Sequence, residues 1–144
     1  MKTFGALIVV LLWMPVSLQA EDLGNLSANP YDADSTANPF GNGSPFAPNG
    51  INNFYSPYGS PFSNSSATNP FATHAPRLYD QQGHDRGKLS ANPFEPDSTS
   101  NPYGRYGSPF SPDSINNPYG AGSPYRPDSP KSPYGKGWRI EGQK

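Results

Sequence analysis

The sequence contains no cysteine, and beyond residue 20 it contains neither valine nor methionine. The absence of cysteine excludes disulfide bonds, a lipid-anchored cysteine and any metal site with cysteine ligands. In residues 21–144, Leu, Ile, Val and Phe together account for 14 of 124 residues, about 11%. A globular core becomes implausible below roughly 20%. The composition therefore predicts a chain without a single stable core.

The sequence also lacks an excess of charge of one sign. The formal net charge is −1 and the pI is about 6.0, which excludes the basic field that attracts nucleic acid, so no nucleic-acid partner is expected. The two histidines, His74 and His84, lie in a diverged segment with Asp80 and Asp85, where no rigid pocket is expected to hold them together as ligands, and the carboxylates are spread along the chain rather than paired. We therefore predict no metal, no cofactor and no catalytic residue, and a protein that is not an enzyme.

The N-terminus has the three parts of a secretory signal. Lys2 gives a positive start, residues 4–14 are apolar, and Ala20 is a small residue ahead of acidic Glu21. Cleavage is expected after Ala20. The alternative is an uncleaved anchor, although the apolar run is shorter than the roughly 20 residues that span a bilayer. The segment predicts a secreted or periplasmic protein with no stable membrane span after cleavage.

Turn-forming residues dominate the remainder, with 18 prolines and 14 glycines in residues 21–144. Twelve times, a proline follows Asn or Ser and precedes Phe or Tyr. The repeat units begin at Pro30, Pro45, Pro61, Pro93, Pro109 and Pro124. A larger duplication is superimposed, because the sequence LSANP at 26–30 recurs at 89–93. The chain is therefore a tandem repeat that grew by duplication of short modules.

These boundaries divide the chain into five parts. They are a signal peptide (1–20), a first repeat block (21–69), a diverged linker (70–88), a second repeat block (89–134) and a basic C-terminal tail (135–144).

The repeats carry the residues of type I turns, with Asn or Ser first, Pro second and Gly fourth. Five segments fit this pattern: 38–41, 56–59, 101–104, 117–120 and 132–135. Proline disfavours helices and central strands throughout, so a helix is expected only in the signal segment. The predicted fold class is a mostly intrinsically disordered tandem repeat, rich in turns and polyproline II. An ordered, turn-rich solenoid is the alternative.

The aromatic residue after each repeat proline is the candidate binding group. Rings displayed at intervals stack on sugar rings or peptide surfaces, and many weak contacts add up when the partner is a polymer. The expected partner is an envelope polymer or an envelope protein; the sequence predicts no particular oligomeric state. The candidate binding residues are Tyr31, Phe40, Phe46, Tyr58, Phe62, Phe71, Phe94, Tyr103, Phe110, Tyr119, Tyr125 and Tyr134. The expected function is a flexible envelope-associated or matrix-like element, and the alternative is a solenoid binding module for a cell-wall polysaccharide or a protein.

The C-terminal segments 116–130 and 133–142 carry a resemblance. They are similar to the ends of small bacterial secreted or periplasmic proteins built from Asn/Ser-Pro-Tyr/Phe-Gly repeats, a family of unknown function. The resemblance implies export and a repeat architecture, and no activity. Lys131-Ser132 departs from the pattern, since a second Asn-Asn pair is expected there. Trp138 and Ile140 form a local apolar cluster, interpreted either as a frayed end or as a small cap or docking tag.

Overall fold

The computed structural model describes residues 21–143, which form one four-stranded sheet and two long chains of turns. The strands are β1 (Glu21–Leu26), β2 (Arg77–Tyr79), β3 (Asp85–Lys88) and β4 (Trp138–Gly142). Their order is β1-β4-β2-β3, and all neighbours are antiparallel. The signal segment and its expected helix lie outside the described residues, and no helix within 21–143 is long and apolar enough to cross a membrane.

The prediction of a mostly disordered chain is wrong. Strand β1 pairs with β4 across almost the whole described chain, with Glu21 opposite Gly142. The linker at 70–88 contains both β2 and β3, and the tail at 135–144 contains the whole of β4. The solenoid alternative allowed for an ordered turn chain, but it did not include the sheet that joins the two ends.

The sheet has a pseudo-twofold axis between its two central strands. Leu78 of β2 lies opposite Ile140 of β4, and Arg77 and Tyr79 lie opposite Glu141 and Arg139. If residues 77, 78 and 79 are exchanged with residues 139, 140 and 141 respectively, the same three pairs of opposite residues result. The first half of the duplication contains β1 and β2, and the second half contains β3 and β4. The first strand of each half pairs with the last strand of the other half: β1 with β4, and β3 with β2.

The two edge strands are capped in the same way. Asn25 of β1 donates its backbone N–H to Asp34 (2.7 Å) and accepts from Thr36 (2.9 Å). Lys88 of β3 makes the equivalent bonds with Asp97 (2.7 Å) and Thr99 (3.0 Å). These parallel bridges occupy backbone groups that an open edge would offer to another strand.

The turn chains, 27–76 and 89–137, have a period of three residues. Nine consecutive turns run from residue 32 to 59 and nine more from 108 to 135, each closed by a hydrogen bond from the N–H of residue i+3 to the carbonyl of residue i. All five turns expected from the sequence are among those formed. No described residue other than glycine has positive φ, which excludes type II and primed geometries where the central residues are not glycine.

The core lies where the sheet meets both turn chains. Leu23, Leu78, Trp138 and Ile140 come from the strands, and Tyr58 and Ala121 come from the turn chains. In β4, buried Trp138 and Ile140 alternate with exposed Arg139, as expected for a strand with one face towards the core. The frayed-end interpretation of Trp138 and Ile140 is wrong, because they are 1% and 0% exposed.

Alanine substitutions at two glycines with positive φ allow the cost of backbone strain to be measured apart from the cost of steric overlap. Gly83, in the hairpin between β2 and β3, has φ +86° and nothing within 4 Å of an added Cβ. Gly87 has φ +91°, and its Cβ would lie 2.6 Å from the Asp97 carbonyl oxygen. We expect Gly83→Ala to lower the free energy of unfolding by about 1–2 kcal/mol, and Gly87→Ala by about 2–4 kcal/mol. Urea denaturation measures both; equal losses would contradict the steric contribution at Gly87.

Candidate functional site

The repeat turns fix the backbone of eleven of the twelve candidate aromatic residues, all except Tyr134, by a hydrogen bond to the aromatic N–H. The side-chain oxygen of the first turn residue accepts a hydrogen bond from the aromatic N–H, as between Asn92 Oδ1 and Phe94 (2.9 Å) or Ser123 Oγ and Tyr125 (3.3 Å). The pyrrolidine ring of the intervening proline restricts its own φ to the value that a turn requires. The aromatic rings therefore stand on ordered backbone rather than on a flexible chain.

Eleven of the twelve candidate rings are 85–97% exposed. These are Tyr31, Phe40, Phe46, Phe62, Phe71, Phe94, Tyr103, Phe110, Tyr119, Tyr125 and Tyr134. These rings are among the largest apolar groups that the described residues leave at the surface.

Tyr58 is the exception, because it is 4% exposed and belongs to the core. Its hydroxyl donates to Glu21 Oε2 (2.9 Å). Burial, together with the adjacent Glu21 carboxylate, raises the pKa of Tyr58 to about 12. The turn pattern fixes the backbone at Tyr58 but does not decide which side of the chain faces the sheet.

Two further exposed rings lack the proline signal. Tyr55 is 91% exposed and Phe54 is 56% exposed, and the two rings meet edge to face with centroids 5.5 Å apart. Asn53 Oδ1 accepts from the Tyr55 N–H (2.9 Å), as in the proline-containing turns. The three-residue period, which places an aromatic two residues after Asn, identifies Tyr55 without a proline.

The first residue of the repeat turn has a second role, which asparagine performs at five positions and serine at one, where Ser56 Oγ donates to the Gly50 carbonyl (2.6 Å). Asn101 Nδ2 donates to the Glu95 carbonyl, six residues earlier (3.1 Å), while its Oδ1 accepts from Tyr103 (3.0 Å). Five asparagines make this bond to the carbonyl of residue i−6: Asn38, Asn53, Asn69, Asn101 and Asn117. Asn92 begins its turn chain, and its Nδ2 has no hydrogen-bond partner among residues 21–143.

This difference predicts unequal effects of one substitution. Asn101→Asp keeps the acceptor for Tyr103 but loses the donor to Glu95 and places a carboxylate beside that carbonyl, so we expect a loss of about 1–3 kcal/mol in the free energy of unfolding. Asn92→Asp, which loses no bond, is the matched control and is expected within about 0.5 kcal/mol of the native protein. Thermal or urea denaturation distinguishes the two; a stable Asn101→Asp variant would refute the second role.

Three exposed rings lie in a row at the junction between the two turn chains. Phe71 of the first chain and Phe94 of the second border a groove of about 450 Å³, and Phe94 and Tyr103 border the next groove, of about 320 Å³. The remaining lining residues are prolines and asparagines: Pro70, Asn92, Pro93, Asn101 and Pro102. We call Phe71, Phe94 and Tyr103 the Phe94 platform. It combines apolar faces with carboxamides, and no charged side chain of the described residues lines it.

The histidines lie apart from this platform. His74 Nδ1 lies 3.0 Å from Asn64 Nδ2 and 2.9 Å from Thr73 Oγ1, and His84 Nδ1 lies 3.2 Å from Asp80 Oδ2. Among the described residues, no three His, Asp or Glu side chains are grouped so that they could hold a metal ion.

Comparisons with known proteins do not extend these observations. No protein-family model matches the sequence, and neither the curated proteins nor the solved structures gave a match. The functional argument therefore rests on the exposed rings and the grooves between them.

Proposed function

We propose that this is a non-enzymatic, exported binding protein that presents aromatic rings to a polysaccharide of the cell envelope. The observation that carries the proposal is that the aliphatic side chains and most of the repeat aromatic side chains lie in different places, the former in or against the core and the latter at the surface. All seven aliphatic residues after position 20 pack in or against the core, whereas eleven repeat rings are at least 85% exposed. The rings are thus not core residues that remained outside for lack of space.

The chemistry around the rings favours a sugar polymer. Sugar rings offer an apolar C–H face to an aromatic ring and hydroxyl groups at their edge. The Phe94 platform offers both matching elements, namely ring faces and the carboxamides of Asn92 and Asn101. Each ring contributes little by itself, but a polymer engages several at once, so the contacts reinforce one another.

Export is part of the proposal and rests on the sequence of residues 1–20. A lysine, an apolar run and a small residue at position 20 form a signal that directs the chain out of the cytosol. The partner is therefore sought in the envelope.

A sedimentation assay with purified, protease-treated cell-wall polysaccharide tests the proposal. We expect the full chain to be retained, and a variant with Tyr103, Tyr119 and Tyr125 replaced by serine to be retained several-fold less. A Lys131→Ser, Lys136→Ser variant is the control, because it removes exposed cations and no ring. Absence of retention would contradict the proposal. Retention only by wall that was not treated with protease would indicate a protein partner instead.

A further inference from the structure

The duplication relates a second set of three exposed rings to the rings of the Phe94 platform. The alignment that superimposes residues 26–30 on 89–93 relates Phe94 and Tyr103 to Tyr31 and Phe40, and it relates Phe71 to Tyr134. Exposure agrees within each pair: 86% and 88% for Phe71 and Tyr134, 88% and 86% for Phe94 and Tyr31, and 95% and 96% for Tyr103 and Phe40. We call Tyr134, Tyr31 and Phe40 the Tyr31 platform.

The hydrogen bonds that hold the central ring are also duplicated. Asn29 Oδ1 accepts from the Tyr31 N–H at 3.0 Å, as Asn92 does from Phe94 at 2.9 Å. Like Asn92, Asn29 has an Nδ2 group without a hydrogen-bond partner among the described residues. Each platform therefore has a carboxamide donor at its central turn that is available to a ligand.

Different hydrogen bonds hold the two junctions between the turn chains. At the Phe94 platform, the Leu89 N–H donates to the Pro76 carbonyl (2.8 Å). At the Tyr31 platform, Ser27 Oγ donates to the Gly135 carbonyl (3.1 Å). In both cases the start of one turn chain is bonded to the end of the other.

A second pair of grooves shows that the duplication preserves surface shape. One groove, of about 320 Å³, is lined by Ile51, Asn52, Phe54, Gly59, Pro61 and Thr68. Another, of about 360 Å³, is lined by Ile115, Asn116, Pro118, Gly122, Pro124 and Lys131. The two sets correspond member by member in sequence order, and four of the six pairs have the same residue type.

From this correspondence we infer that the protein has two glycan-binding sites, the Phe94 platform and the Tyr31 platform, each of which binds a neutral, extended oligosaccharide across three rings. The inference rests on the proposed function and adds the location, number and chemical class of the sites. A chain with two such sites holds two segments of polymer together, which a single platform does not do.

Calorimetric titration of the full chain with the soluble hexamer of N-acetylglucosamine tests the number of sites. We expect two sites in the native protein and one after either Phe94→Ala or Tyr31→Ala, with affinity at the altered platform at least tenfold weaker. The double variant is expected to lose both sites. Gln82→Ala is the control, since Gln82 is exposed, carries no aromatic ring and belongs to neither platform; it is expected to keep both.

The outcomes separate this inference from the proposed function. A single site that is lost in Phe94→Ala and unchanged in Tyr31→Ala would overturn the second platform and leave polymer binding intact. Binding that neither substitution affects would overturn both platforms and also leave polymer binding intact. If the hexamer does not bind, polysaccharide sedimentation of the same variants decides: graded loss in the two single variants and complete loss in the double variant supports two platforms, and unchanged retention overturns them. Absence of both hexamer binding and retention would contradict the proposed function itself.

Discussion

Replacing Leu78 with alanine is expected to lower the free energy of unfolding by about 3–5 kcal/mol, the upper part of the range for a buried leucine. Leu78 is 0% exposed and lies opposite Ile140 at the pseudo-twofold axis, where both halves of the chain meet. The core contains few large side chains, so little else is available to fill the cavity. Because small domains are stable by only about 5–15 kcal/mol, this one change removes a large fraction of the total.

Urea denaturation followed by tryptophan fluorescence measures the effect, since Trp138 lies in the same cluster. Leu89→Ala is the matched control, because Leu89 is only partly buried at the edge of the core and is expected to cost less. Phe94→Ala, which removes an exposed ring, is expected to change stability by no more than about 0.5 kcal/mol. A Leu78→Ala variant as stable as the Phe94→Ala variant would show that the sheet is not the centre of stability.

The scarcity of aliphatic residues misled the sequence analysis because composition does not record position. All seven aliphatics beyond residue 20 lie in one cluster: Leu23, Leu26, Ile51, Leu78, Leu89, Ile115 and Ile140. A small number of apolar side chains is sufficient when every one is placed at the junction of the sheet and both turn chains. Of the twelve repeat aromatics, only Tyr58 belongs to the core.

Serine supplies much of the remaining interior. Five serines are 0% exposed: Ser35, Ser66, Ser98, Ser114 and Ser129. The hydroxyl groups of the first four donate to the carbonyl eight residues earlier, at 3.1–3.2 Å. No buried side-chain nitrogen or oxygen among residues 21–143 lacks a partner. Hydrogen bonding thus allows small polar residues to fill positions that aliphatic residues occupy in most proteins.

The individual turns were predictable, whereas their continuity and the sheet were not. Asn-Pro-Tyr-Gly and its variants specify a turn by local chemistry, and each such turn formed. The period of three residues is visible as Ser, Asn, Gly or Asp at positions such as 32, 35, 38 and 41, but the longer repeat unit concealed it. Strand β2 ends at Tyr79 and its central-strand partner, β4, begins only at Trp138, so no local pattern specifies the pairing.

The aromatic site was more accessible to sequence analysis than the fold. A ring that follows proline in a turn points away from the chain, and eleven of twelve rings do so. Their grouping into platforms was not predictable, because Phe71 and Phe94 come from different turn chains. The end of the first turn chain, which carries Phe71, lies beside the start of the second, which carries Phe94, only because the strands pair.

The second large effect is expected at Asp80, in the hairpin that joins the two halves. The Asp80 side chain is 0% exposed. Its Oδ1 accepts from the backbone N–H groups of Gln82 (3.0 Å) and His84 (2.9 Å), and its Oδ2 accepts from Arg86 Nε (3.1 Å) and Nη2 (2.9 Å). Arg86 in turn stacks over Trp138 at 5.5 Å. Asp80→Asn turns an amide towards Arg86 and is expected to cost about 3–5 kcal/mol.

The effect of Asp80→Asn depends on pH in a defined direction. Burial by itself would raise the pKa of Asp80, but the hydrogen bonds from His84 and Arg86 outweigh it and hold the pKa below the ordinary value of 3.8. A carboxyl group with a lowered pKa stabilises the fold above the unfolded-state value, and this contribution is lost as the pH falls through the folded-state pKa. The stability difference between the native protein and Asp80→Asn is therefore expected to be constant at neutral pH and to shrink from roughly pH 5 downwards.

Asp128→Asn makes the same charge change at a distant ion pair of 3.9 Å and is expected to alter stability by no more than about 0.5 kcal/mol. A difference between the native protein and Asp80→Asn that stays constant down to about pH 2 would show that the Asp80 carboxylate is not the group that joins the hairpin to Arg86 and the core.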